Sequence, residues 1–110
     1  DIKKLTKDVK KWIVVNLANL EDYEITHLID TLKKYGQQIG MNINEPICRV
    51  KMSYQRGLLK EKLFDRAEEK YGFVNLFVFL GIESDECYYE MKKCGDIDIG
   101  PLNAFVSITS

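Results

Sequence analysis

Between Glu86 and Cys94 the chain reads Glu-Cys-Tyr-Tyr-Glu-Met-Lys-Lys-Cys, the stretch whose residue types and spacing best suit chemistry. Cys87, Met91 and Cys94 recur at helical spacing and form a face turned to a core. Tyr88 and Lys92 are four apart, one position round the helix, so a ring and an ammonium emerge from adjacent turns at the rim of that core. A base stacks on such a ring, a phosphate pairs with the cation, and the Tyr88 hydroxyl can donate to the same phosphate. Lys93 adds a second positive charge nearby. The plainer alternative is that both lysines answer the macrodipole at a helix C-terminus and that Tyr88 only borders a core.

Other chemistries have little to stand on. Gly36, Gly40 and Gly81 form neither a dinucleotide fingerprint nor a P-loop. No Ser/His/Asp set or Cys/His pair is visible, so no catalytic residue and no enzyme activity are expected. Cys48, Cys87 and Cys94 lack zinc spacing and read as small buried hydrophobes in a reducing compartment. His27 has no partner at ligand spacing and reads as a solvated surface residue. Neither a metal nor a cofactor is expected.

The elements that must position Tyr88 and Lys92 alternate in type. Trp12–Ala18 is an apolar, β-branched run with the look of a strand buried on both faces. Tyr23–Ile39 has helical periodicity, with Ile25, Leu28, Ile29, Leu32, Tyr35 and Ile39 on one face; Gly36 weakens its last turn and Gly40 ends it. Ile47–Met52 alternates like an edge strand. Arg56–Tyr71 is a second helix carrying the ladder Leu59, Leu63, Ala67 and Tyr71, stopped by Gly72. Val74–Leu80 is the most apolar run and reads as the central strand. Gly81 to Asp85 turns the chain, Asp85 and Glu86 open a third helix that runs to about Cys94, and Asn103–Ile108 is a last strand. This order predicts an α/β fold: a Rossmann-like open sheet of about four mainly parallel strands with helices on both faces. Ligands in such sheets sit beyond the carboxyl ends of the strands, which places the expected site near Leu80–Gly81.

The chain has 110 residues, 45% hydrophobic and 30% charged, with a formal net charge of -1. That suits one domain with its own core. Residues 1–11 form a lysine-rich lead-in, read as a solvated charge run, and 12–110 the domain. The charge argues against a broad basic surface for duplex DNA but leaves room for a pocket with two or three cations. No run approaches the roughly 18 apolar residues of a membrane span, and no signal-peptide pattern is present. Asp1 in place of a start methionine suggests a segment of a longer protein.

The stretch Val74 to Val106 resembles the second half of a eukaryotic Argonaute MID domain. The family pattern is an apolar strand, a short loop, a tyrosine, a lysine four residues on, a basic residue, a linker with an acid and a glycine, and a last strand. Here these are Tyr88, Lys92, Lys93, Asp96 and Gly100. Trp12 opens the first strand as in the family, and Gly40-Met41-Asn42-Ile43 followed by Pro46 resembles its Gly-Met segment. The likeness extends over nearly the whole chain from Trp12 and rests on the order and spacing of its parts.

That resemblance implies binding of the 5′-phosphorylated end of a small guide RNA in RNA interference and gene silencing. Tyr88 would stack on the first base and Lys92 would bind its phosphate. Gly81, Ile82, Glu83, Ser84, Asp85 and Glu86 would form the nucleotide-specificity loop. The family has a glutamine four residues after the glycine; Ala104 stands there in this chain, and Asn103 beside it is the expected substitute. The family's further lysine lies beyond Ser110, so the pocket is expected to be incomplete and isolated affinity weak. Glu83, Asp85 and Glu86 oppose a nearby phosphate unless they point away or pair with a lysine. The resemblance further implies a monomer without membrane attachment, in the cytoplasm or nucleus, next to a PIWI domain that would hold any nuclease activity. Two alternatives are a receiver-like signalling domain and a protein-interaction module that binds no nucleic acid.

Overall fold

The computed structural model describes residues 11–81, 85–94 and 102–108; of Asp85 and Leu102 only the backbone is described. Strand β1 (Trp12–Asn16) leads to helix α1 (Asp22–Gln38) and strand β2 (Cys48–Lys51). Helix α2 begins as a π-helical stretch, Lys60–Phe64, and continues as an α-helix over Asp65–Tyr71. Strand β3 (Leu76–Gly81), helix α3 (Asp85–Cys94) and strand β4 (Leu102–Ser107) follow.

The four strands form one open sheet in the order β2-β1-β3-β4, and every pairing is parallel. The first crossover moves outward from β1 to β2, and the second returns past β1 to β3. A right-handed rule for such crossovers sends the helices to opposite faces. The core divides accordingly. Ile13, Val15, Phe77 and Phe79 face Leu59, Leu63 and Phe64 of the α2 segment and Met91 of α3. Trp12, Val14, Val78 and Leu80 face Ile25 and Ile29 of α1. Strands buried on both faces must be apolar at every position, which is why β1 and β3 show no alternation. Phe64 meets Phe77 edge-on with ring centroids 4.7 Å apart, locking α2 to the sheet centre. The buried Trp12 places its one donor, Nε1, on the Asn44 carbonyl at 2.8 Å.

Several boundaries differ from the sequence expectation. β1 stops at Asn16, short of Ala18, because the Asn16 side chain closes the next loop. Its Oδ1 accepts from the Ala18 and Leu20 amides at 3.1 Å each, and its Nδ2 donates to the Leu20 carbonyl at 2.9 Å. The second helix does not start at Arg56: Gly57 has φ of 79°, a left-handed turn residue that no helix interior accommodates. On α1, Ile25 and Ile29 are buried, whereas Tyr35 and Ile39 are exposed and Gly36 is buried instead. The stripe rotates because the loop after α1 folds back on it. The Met41 amide donates to the Gly36 carbonyl at 2.7 Å, and Ile43 Cδ1 would lie 2.9 Å from a Cβ at Gly36. Lys11, placed in the lead-in from sequence, is docked: its amide donates to Asn75 Oδ1 and its carbonyl accepts from the Asn75 amide. The rest of the lead-in, residues 1–10, lies outside the described residues.

Candidate functional site

Helix α3 runs antiparallel to the strands, as the connection from the carboxyl end of β3 to the amino end of β4 requires. Cys87 and Met91 are buried and fix its rotation. That rotation sends neighbouring residues to two separate flanks, one toward β4 and one toward α2.

On the β4 flank, Lys92 Nζ lies 5.7 Å from the Tyr88 ring centroid and 3.5 Å from the Asn103 carbonyl oxygen. The Tyr88 ring is 43% exposed and Lys92 is half-buried. Among the described residues β4 is an edge strand, so this flank lies at the side of the sheet. Of the four residues grouped from sequence, Tyr88 and Lys92 lie together beside the Asn103 main chain, but at a different place from the one expected. Lys92 is seven residues into α3, about 10 Å down its axis at the helical rise. It therefore sits by the amino half of β4, away from the carboxyl edge of the sheet.

Asn103 takes a different role from the expected one. Its side chain is buried, and Nδ2 donates to the Met91 carbonyl at 2.9 Å, which ties the last turn of α3 to β4. Its Oδ1 is buried with no hydrogen-bond partner among the described residues. With its side chain turned inward, Asn103 presents its main-chain carbonyl to this flank, and a carbonyl oxygen repels an anion, so Asn103 is not the phosphate ligand expected in place of the family's glutamine. Ala104, on the opposite face of β4, is exposed.

Lys93 also departs from expectation. It turns to the α2 flank, with Nζ 5.9 Å from the exposed Tyr89 ring. Of the expected specificity loop, Ile82, Glu83 and Ser84 lie outside the described residues. Gly81 is buried at the end of β3, where a Cβ would come within 3.2 Å of Leu17 Cβ. Glu86 points toward the turn that precedes α2, with Oε1 3.8 Å from Arg56 Nη1. This acid is thereby kept off the Tyr88–Lys92 flank.

Sequence reading missed Glu90. Its carboxylate accepts from the Tyr54 hydroxyl at 2.8 Å, the Gly57 amide at 2.8 Å and the Leu59 amide at 2.9 Å. It caps the start of α2 from another helix, in the role a local N-cap would fill. Burial alone would raise its carboxyl, but these three donors outweigh that and hold it below the usual range. Burial pushes the Tyr54 phenol up to about 12, helped by the hydrogen bond to Glu90 and its charge. The only sequence signal was an acid on the partly buried side of a helix. Burial also raises the Cys87 and Cys94 thiols, with Glu90 adding to it, which keeps them poor nucleophiles at neutral pH. Among the described residues no three His, Cys, Asp or Glu side chains gather to hold a metal, and no helix is long and apolar enough to cross a membrane.

At the level of class, then, the chain is an open parallel α/β sheet with an aromatic–lysine pair at its edge. Compared with protein-family models, curated proteins and solved structures, it matches none.

Proposed function

We propose that this chain binds the 5′-phosphorylated terminal nucleotide of a small guide RNA, in the manner of the MID domain of an Argonaute protein in RNA-mediated gene silencing. The observation that carries the reading is the approach of Lys92 Nζ to the Tyr88 ring, 5.7 Å from its centroid, on the β4 flank. Tyr88 stacks on the terminal base; Lys92 meets the phosphate with a charge-assisted hydrogen bond. Asn103 acts from beneath, fixing the last turn of α3 against β4. The part proposed for this chain is anchoring, not cleavage. In that reading a PIWI domain would be the partner that supplies further cations to the phosphate.

A receiver-type phosphorylation site fits less well. It calls for aspartates at the carboxyl ends of β1 and β3, where Asn16, Leu80 and Gly81 stand. The Asn16 amide, moreover, is engaged in its loop.

A titration of the labelled chain with a short 5′-phosphorylated oligoribonucleotide, followed by amide chemical shifts, tests the proposal. Shifts should concentrate at Tyr88, Lys92 and Asn103. Unmoved resonances at these positions with millimolar RNA would refute it.

A further inference from the structure

We infer that the groove between the β2–α2 turn and helix α3 is a second binding site, for a nucleoside phosphate. The inference stands apart from the Tyr88–Lys92 reading, because it rests on the other flank of α3.

The groove has a volume of about 720 Å³ and is lined by Tyr54, Arg56, Lys60, Glu86, Tyr89 and Lys93, among others. That is within the usual size of small-molecule clefts, roughly 300–1,000 Å³. Tyr89 and Lys93 repeat, one residue on, the four-residue spacing of Tyr88 and Lys92. One step round a helix of 3.6 residues per turn rotates a side chain by about 100°. The second pair thus addresses a different space, and Lys93 Nζ sits 5.9 Å from the Tyr89 ring centroid there. Tyr89 is 69% exposed, a large ring left open to solvent beside a cation.

Arg56 and Lys60 bring two more cations to the same groove. Their partners are exchangeable. Arg56 meets Glu86 at 3.8 Å and Lys60 meets Asp65 at 3.1 Å, and all four side chains are largely exposed. Exposed pairs of this kind contribute little, and a phosphate offers a stronger acceptor for arginine than a distant carboxylate. Glu90, the other acid of the groove, is held by Tyr54, Gly57 and Leu59. Lys60 also opens the π-helical stretch of α2, an irregularity found more often at functional positions than in plain helices. The base would stack on Tyr89, and the phosphate would lie among Arg56, Lys60 and Lys93.

The test uses assigned amide spectra of the chain carrying Tyr88→Ala and Lys92→Ala, which removes the first flank. Adenosine monophosphate, a 5′-phosphorylated tetraribonucleotide and inorganic phosphate are titrated separately. The expected result is saturable shifts at Gly57, Lys60, Tyr89 and Lys93 with the nucleotide or the RNA. Adding Tyr89→Ala should weaken that binding about tenfold, as loss of one stacked base does. Both residues replaced on the first flank and Tyr89 itself are at least partly exposed, and unchanged dispersion elsewhere confirms folding. Shifts with the mononucleotide assign a free ligand; shifts with RNA alone assign a strand. Inorganic phosphate binding as tightly as the nucleotide, or the absence of shifts in the groove with both ligands, overturns the inference. Failure here leaves the Tyr88–Lys92 reading untouched, since that flank is absent from the tested chain.

Discussion

Replacing Glu90 with alanine should cost this domain more than any other single exposed or half-exposed acid. The carboxylate serves three donors from the segment that precedes and opens α2. The Gly57 amide is exposed and turns to water when the carboxylate goes. The Leu59 amide and the Tyr54 hydroxyl lie in partly buried bonds and are left without an acceptor. Each orphaned donor costs about 1–3 kcal/mol, so the pair comes to about 3 kcal/mol. For a domain near this size, 1 kcal/mol moves Tm by about 4–5 °C, which predicts a fall of about 10–15 °C. Glu86→Ala is the control: it lies one turn earlier on α3, in an exposed pair with Arg56, and should change stability by less than about 1 kcal/mol. The pH dependence gives a second reading. Glu90's folded pKa is depressed, so its contribution is present above the ordinary carboxylate pKa and is lost as pH falls through the folded value. The stability gap between the natural chain and Glu90→Gln should therefore close in acid. Thermal and urea unfolding of the three variants measures all of this. A Glu90→Ala loss no larger than that of Glu86→Ala would refute the assignment of Glu90 as the cap of α2.

Other expectations follow from neighbouring features. Asn16→Ala removes a buried amide that makes three hydrogen bonds within the β1–α1 connection, and should cost about 2–4 kcal/mol in urea unfolding. Gly36→Ala, which in a free helix would gain up to about 1 kcal/mol, should instead lower Tm, because its Cβ would lie 2.9 Å from Ile43 Cδ1 and 3.0 Å from the Met41 carbonyl. Tyr54's folded pKa is raised to about 12 from 10.0, so its contribution is complete below pH 10.0 and disappears as pH climbs toward 12. Tyr54→Phe should flatten that alkaline loss, read by denaturant titration at stepped pH.

The fold was legible in the sequence because the signals that build it are periodic. Continuous apolar runs at Trp12–Ala18 and Val74–Leu80 read as strands covered on both sides, and helical stripes between them supplied the covers. The alternation of elements then implied a parallel sheet. What stayed hidden depends on contacts between distant segments. No local pattern announces that Glu90 caps a helix 30 residues earlier, or that Asn16 ends its strand by folding its amide into the next loop. The approach of Ile43 to Gly36, which turns the α1 stripe away from Tyr35, is equally tertiary. At the candidate site, the four-residue spacing correctly paired Tyr88 with Lys92. Spacing alone could not say which flank each lysine takes, because Lys92 and Lys93 differ by one helical step. Nor could it show that Asn103 would turn its amide inward to Met91. The expectation of a site at the carboxyl edge followed a general rule for open sheets and ignored the length of α3, which carries Lys92 to the other end.

Affinities for two RNAs of one sequence, one with a 5′ phosphate and one with a 5′ hydroxyl, test the central claim most directly. In the natural chain the phosphorylated strand should bind at least about tenfold tighter, the equivalent of roughly 1.4 kcal/mol. In a chain that also carries Tyr89→Ala and Lys93→Ala, which silences the groove between α2 and α3, Lys92→Ala should erase that preference while leaving the weaker hydroxyl-strand binding in place. Equal affinity for the two strands in the natural chain, or a phosphate preference that survives Lys92→Ala once the groove beside α2 is silenced, would contradict the account.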